Sequence, residues 1–435
     1  MKEKMIQLKR WIFRNIGFIF MLYAEMIHFI FRIKKGGKDR VQDISLNSFS
    51  DVMEAVLHNG GTIYGREMLE NYDASEKKDV LMVSHDLTSN GAPVVMIHLA
   101  EILSDKGYNV LVMSPRDGDL MVKYILDKGI PVIVDPMLYE DDLVLMSRGL
   151  FYRILVNTII GGSLINKLSG TEVNVIWWIH ESSETYTRDQ ARNMPRKLSD
   201  NIQVYVVGPY AKKILSKRCP YYDIRTLVYY SPDLRNAEMS DSYIFGRLDR
   251  GKKIYAFIGG WNRRKGQDIA VKAIERLSEK IINQSIFLFV GKPDDEYIMN
   301  QISGLKHLYP DNVIITGELE LRQVYKLYQK IDYLICASRD DPMPVVVAEA
   351  MSVGKPCICS ENTGTAAIIH HCKAGFVYRF NSPDRLANVI MESYYLSKKS
   401  YESMSQNARK AYSRFFSRKR FEIVIDKIFG QEYDQ

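Results

Sequence analysis

DVLMVSHDLTSNGAPVVMIHLAEILSDKGYNVLVMSP, residues 79–115, holds a complete supersecondary unit. DVLMVSH (79–85) is an apolar run of strand length. APVVMIHLAEILSDKG (92–107) has helical spacing that Gly107 stops, and YNVLVMSP (108–115) is a second strand. Strand, helix and strand in about thirty residues form a βαβ unit, which requires a parallel sheet covered by helices.

The alternation continues through PVIVD (131–135) and VNVIWWIHE (173–181) to VYVVG (204–208). From Tyr229 to Gly251 the chain is polar and aperiodic, which marks a linker. A second series then begins: KIYAFIGG (253–260), a helix from Gln267 to Lys280, SIFLFVG (285–291), NVIITG (312–317), a helix over 321–330, and DYLICAS (332–338). The fold class is therefore α/β, with two doubly wound domains over residues 41–235 and 236–410. Residues 1–40 form a separate N-terminal segment and 411–435 a helical tail, and the basic, Tyr-rich run 397–416 reads as a surface helix. Sheets of this kind bind ligands at the carboxyl ends of their strands, so two facing domains place the site in the cleft between them.

At 435 residues, with 46% hydrophobic and 26% charged side chains, the chain is ordinary globular material for two or three domains. The net charge of +7 is concentrated at one end, because residues 1–40 carry ten basic side chains against three acidic ones. The remainder is neutral, so no nucleic-acid partner is expected. Between Trp11 and Phe31 the sequence is apolar, yet Arg10, Arg14, Glu25, His28 and Arg32 fall within roughly 40° of one line along a helix. That pattern predicts an amphipathic helix lying on an anionic membrane surface through residues 1–35, with a single span or an N-terminal core helix as the alternatives. Arg14, Glu25 and His28 interrupt the apolar run, which argues against a cleaved signal peptide. Five scattered cysteines, an odd number, predict a reducing compartment and a cytoplasmic location.

The segment richest in chemistry is ASRDDPMPVVVAEAMSVGKPCICSENTGTA (337–366). A strand ends at Ser338, a loop carries Asp340, Asp341, Pro342 and Pro344, and a helix runs from Val345 to Gly354 with Glu349 on its first turns. Carboxylates so placed accept hydrogen bonds from sugar hydroxyls, and amides at a helix start favour phosphate. Acidic residues also occur near helix N-termini merely because they suit the dipole.

Asp341-x7-Glu349, followed by Ala350-Met351 and Gly354-Lys355-Pro356, resembles the signature of the retaining, GT-B-fold glycosyltransferases of family 4. The resemblance covers roughly residues 79–410 and implies that Glu349 holds the ribose of a nucleotide sugar while Asp341 contacts the transferred sugar. Asp341 replaces the commoner Glu, and Pro342 and Pro344 stand where glycines are usual, which removes backbone donors. In FIGGWNRRKGQD (257–268) the Lys265-Gly266 pair matches the family's phosphate-binding loop, but Gly260 stands at its arginine position, leaving Arg263 or Arg264 to supply the second cation. SHDLTSNGAPVV (84–95) is similar to the N-domain glycine loop, with Gly91 and Ala92 facing the donor phosphates. His180 ends a strand where members often carry a histidine beside the donor sugar; a satisfied structural histidine is the other reading. The resemblance thus implies catalytic roles for Asp341, His180 and Lys265, and donor contacts from Gly91, Ala92, Gly260, Arg264, Lys265, Met343, Val345, Val346 and Glu349. Asp117-Gly118-Asp119 looks like a metal-binding DxD but follows a strand as a turn, so no metal or other cofactor is expected.

The implied reaction moves a glycosyl group from a nucleotide sugar to a saccharide hydroxyl with retained configuration. Together with the basic N-terminal helix, it suggests a lipid-linked saccharide acceptor in cell-surface polysaccharide assembly. The alternatives are a catalytically weak GT-B subunit that scaffolds a partner transferase, suggested by Gly260 and the two prolines, and a sugar-nucleotide epimerase.

Overall fold

The computed structural model describes residues 45–72, 77–88, 91–182, 193–248, 251–379 and 381–430. The amphipathic helix expected near the N-terminus lies outside the described residues. Among the described residues no helix is long and apolar enough to cross a membrane.

The first lobe is built on an eight-stranded sheet of β1 (Thr62–Tyr64), β2 (Asp79–Val83), β3 (Asn109–Ser114), β4 (Val132–Val134), β5 (Arg153–Asn157), β6 (Asn174–Ile179), β7 (Ile202–Val206) and β8 (Ile224–Thr226). Their order in space is β1-β4-β3-β2-β5-β6-β7-β8, and β1 alone runs antiparallel to its neighbour. The second lobe carries six parallel strands: β9 (Lys253–Ile258), β10 (Ser285–Val290), β11 (Val313–Gly317), β12 (Tyr333–Cys336), β13 (Cys357–Ser360) and β14 (Gly375–Tyr378). These lie in the order β11-β10-β9-β12-β13-β14. Helices cover both faces, so the inner strands are buried throughout: every residue of β3, β5, β10 and β12 is buried. On one face of the second sheet, Tyr255 stacks between Phe287 and Tyr333 at 5.5 and 5.4 Å, and Phe257 stacks on Phe289 at 4.7 Å.

Seven helices matter for the site and for its support: α1 (Gly91–Asp105), α2 (Pro209–Arg218), α3 (Gln267–Ile274), α4 (Leu321–Lys330), α5 (Val345–Ser352), α6 (Lys398–Phe415) and α7 (Arg418–Phe429). In each sheet the strand order reverses beside the first strand of the series, between β2 and β5 and between β9 and β12. The crevices at these two reversals are where open parallel sheets take ligands, and the loops with the candidate site residues leave from them.

Three readings change on the structure. The central strand β5 was not expected at all. The helix expected over 267–280 ends at Ile274, and Ser278 starts a separate short helix. The run 397–416 is more than a surface helix, because Ala408, Ala411, Tyr412 and Phe416 are buried. Tyr412 donates to the carbonyl of Ser231 at 2.7 Å, tying α6 to the linker. The chain then returns to the first lobe, where Tyr152 OH donates to the carbonyl of Phe429 at 3.1 Å and Arg153 donates to that of Ile428.

Candidate active site

The loop after β9 is shaped by two residues. Asn262 caps the turn Arg263–Lys265 by accepting the Lys265 N–H at 3.1 Å. Gly266 then adopts φ +73°, and a Cβ there would lie 2.2 Å from the carbonyl oxygen of Ala337. The β9 and β12 loops therefore touch backbone to backbone. Arg339 reinforces the contact: its N–H donates to the Arg264 carbonyl at 2.8 Å, and its guanidinium grips Asp268 with two bonds of 2.8 and 2.7 Å.

This close approach brings together the charged residues of the two motifs. Lys265 Nζ is 2.8 Å from Asp341 Oδ2, and Arg264 Nη1 is 3.6 Å from the same oxygen. Arg264, rather than Arg263, thus supplies a second cation beside Asp341. Gly260 packs tightly, since a Cβ on it would lie 2.4 Å from Asp294 Oδ2, and its carbonyl accepts from Gln267 Nε2 at 2.9 Å. Asp341 is fixed through its backbone, donating to Asn362 at 3.2 Å and accepting from Gly364 at 2.8 Å. A small cavity of about 20 Å³ beneath these loops is lined by Lys265, Gln267, Cys336, Ser338 and Val346.

Pro344 precedes the first turn of α5, whose Val345 and Val346 amides have no acceptor within the helix. Those donors and the positive end of the helix dipole suit an anion. Glu349, on the next turn, is half-buried and accepts the Tyr328 hydroxyl at 2.6 Å. Burial pushes its carboxyl above the usual range, and the Tyr328 bond opposes that shift. Its carboxylate is engaged with α4 and not with Asp341.

The opposite wall comes from the first lobe. Gly91 opens α1 and is exposed, and a Cβ on it would lie 3.4 Å from Val345 Cγ2. The Ala92 carbonyl accepts from Asn157 Nδ2 at 3.1 Å. His180 follows β6, rests on the Trp178 ring at 4.5 Å between centroids, and keeps a buried Nε2 that has no hydrogen-bond partner among the described residues. Burial and then His85 push its pKa down to about 3, so the imidazole is neutral. Next to it, Glu181 Oε2 accepts the N–H groups of Ile159 and His180, both at 3.0 Å, and burial pushes this carboxyl up to about 7. Thr158, at the end of β5, holds φ +69°, a strained state for a β-branched residue at the reversal point of the sheet.

The sequence singles out none of Ser182, Tyr210, Glu181 and Tyr328, and it marks Asp340 only as a loop carboxylate next to Asp341. Asp117 and Gly118 form the turn after β3, where a Cβ on Gly118 would lie 2.0 Å from the Leu87 carbonyl oxygen. Asp117 lines a second cavity of about 540 Å³ with Thr62, Arg116 and Pro136.

Two family models match the chain: glycosyl-transferase family 4 over residues 76–205 and glycosyl transferases group 1 over residues 244–411. Spore coat protein SA of Bacillus subtilis is 24% identical over 347 residues, 75% of this chain and 91% of that protein. The Escherichia coli UDP-Gal:alpha-D-GlcNAc-diphosphoundecaprenol alpha-1,3-galactosyltransferase is 25% identical over 185 residues, 41% of this chain and 45% of that enzyme. Other leading relatives are matched over only 24% to 58% of their length. Among solved structures, Anabaena Alr3699/HepE in complex with UDP and glucose superposes with a TM-score of 0.68 at 17% identity, covering 81% of this chain and 99% of that one. With one model on each lobe and the Lys265, Asp341 and Glu349 loops gathered at the strand ends, the chain belongs to the GT-B-fold glycosyltransferases of family 4.

Proposed function

We propose that the protein transfers a sugar from a nucleotide-sugar donor to a hydroxyl of a lipid-linked saccharide, with retention of anomeric configuration. The observation that carries the reading is the pairing of Lys265 with Asp341 beside the start of α5. In this reading the donor diphosphate lies against Lys265, Arg264 and the Val345 and Val346 amides. Negative charge that develops on the leaving phosphate as the glycosidic bond breaks meets donors already in place. Glu349 accepts the ribose hydroxyls, and Asp341 accepts from the transferred sugar. Gly91 and Ala92 close over the phosphates, and neutral His180 presents a ring nitrogen to the sugar. The cations that meet the diphosphate are side chains, so nucleotide release should be unchanged by a chelator.

The lipid-linked acceptor is supported by the basic, amphipathic pattern of residues 1–35 and by the diphosphoundecaprenol acceptor that the E. coli relative's name records. A peripheral position on the cytoplasmic face follows from the same pattern and from the odd cysteine count. The deciding experiment incubates the purified protein with UDP-, GDP-, ADP- and dTDP-sugars and measures nucleotide release with and without membrane extract. UDP-sugars come first, because a structural neighbour holds UDP-glucose. Release from one donor that rises with extract is expected, and silence with every donor would overturn the reading. Deleting residues 1–35 should depress turnover on a lipid acceptor more than on a soluble one.

A further inference from the structure

The two lobes are joined across the cleft by a carboxylate that the sequence motifs leave out. Asp340 is 2% exposed. Its Oδ2 accepts from Ser182 Oγ at 2.7 Å, and its Oδ1 accepts from Tyr210 OH at 2.9 Å. Ser182 follows β6 and Tyr210 lies on the first turn of α2, so both hydroxyls belong to the first lobe and the carboxylate to the second. The Asp340 backbone is held to its own lobe, because Arg264 Nη1 donates to its carbonyl at 3.2 Å. Farther along the same loop, Tyr229 OH donates to the Met343 carbonyl at 3.0 Å, and a Cβ on Gly208 would lie 2.3 Å from Met343 Cε.

Hydroxyl donors to a carboxylate are charge-assisted, stronger than neutral pairs, and a buried carboxylate that loses them bears more of its desolvation cost. Such a contact favours two states over a continuum. With the lobes closed, both oxygens are satisfied by Ser182 and Tyr210; with the lobes apart, both are satisfied by water. A gap of an ångström or two would break both hydroxyl bonds without yet admitting water in their place. We propose that Asp340 is a positioning residue that locks the lobes closed and so sets Asp341 and Lys265 against the wall formed by Gly91 and His180. The kinetic consequence of the lock rests on the transferase reading; the lock itself does not.

The test uses the full chain and the variants Asp340→Asn and Ser182→Ala/Tyr210→Phe. Small-angle scattering of the free protein reads lobe separation, and kinetics with UDP-glucose, or with whichever panel sugar gives the highest release, reads function. Both variants should scatter with a larger radius of gyration than the native chain. The donor KM should rise about tenfold with kcat kept within about twofold, since saturating donor restores the closed population. The triple variant should lose less than the sum of the two variants, because the three changes share one cross-lobe contact. A lowered melting temperature with unchanged scattering and unchanged KM would overturn the lock and leave Asp340 a structural residue. If the native chain turns over no sugar while the variants still expand, the lock stands and the transferase reading falls. If Asp340→Asn does not fold, the hydroxyl pair carries the test.

Discussion

Lys265 is paired, in the free protein, with the carboxylate that should face the donor. At 2.8 Å from Asp341 Oδ2, with Arg264 Nη1 at 3.6 Å, its charge is already committed when a diphosphate arrives. Lys265→Ala should therefore have two separable effects. Nucleotide release falls about 10²-fold because a donor to the developing charge is gone. Stability also falls, because Asp341, with a side chain 7% exposed, loses its short-range cation. Lys265→Ala/Asp341→Asn should recover most of the stability and none of the activity, a dissociation that urea midpoints and nucleotide release measured side by side would show. A second prediction concerns the neighbours His180 and Glu181. His180 has a pKa lowered to about 3 from 6.5, so its contribution to stability is present above pH 6.5 and is lost as pH falls toward 3. Glu181 has a pKa raised from 4.5 to about 7, so its contribution is present below pH 4.5 and is lost as pH rises toward 7. The two oppose each other in the window between. Glu181→Gln should make the change in urea midpoint from pH 5 to pH 7 more positive, and His180→Gln should make it more negative. Equal changes in all three proteins would show that neither group is linked to folding.

At the scale of elements, the strands legible in the sequence are those with apolar runs, β2, β3, β4, β6, β7, β9, β10, β11 and β12, because helices bury both their faces. The edge strands β1 and β8 have three residues each, partly exposed and without an apolar run. β5 was missed for a different reason: its first residue is Arg153, 1% exposed, whose guanidinium is accommodated by a helix 275 residues further along. No local pattern records such a partner. The site divides the same way. Lys265-Gly266 and Asp341-x7-Glu349 were legible because each is built within one loop and helix, whereas Ser182 and Tyr210 meet Asp340 only through the packing of lobe on lobe. Gly266 shows how far loop geometry controls the site. Any side chain there must hold φ +73° and displace the Ala337 carbonyl from 2.2 Å, so Gly266→Ala should push the β9 and β12 loops apart. The expected result is a loss of about 1–3 kcal/mol in stability together with a loss of nucleotide release comparable to that of Lys265→Ala. Retained activity would mean that the Lys265 and Asp341 loops need not touch.

The whole molecule depends on the chain crossing between lobes twice, through the linker after Tyr229 and again between α6 and α7. The second crossing returns Phe421, Ile425, Ile428 and Phe429 to the first lobe, all buried. Phe421 lies 6.3 Å from Trp178, and Trp178 lies 4.5 Å from His180, so α7 supports the cleft wall from behind. Its end also makes Arg153 tolerable. The guanidinium lies 5.2 Å from the Phe429 ring centroid and 5.3 Å from that of Tyr152, and it donates to the Ile428 carbonyl at the negative end of the helix dipole. Arg153 and α7 should therefore be energetically coupled. Phe429→Ala removes buried area and one face of the cation's enclosure in the native background, but only the area in an Arg153→Met background. In a double-mutant cycle followed by urea unfolding, the Phe429→Ala loss should be smaller by about 1 kcal/mol when Arg153 is already Met. Equal losses would show that the Phe429 ring adds nothing to the enclosure of the guanidinium, whose tie to α7 would then be the Ile428 carbonyl.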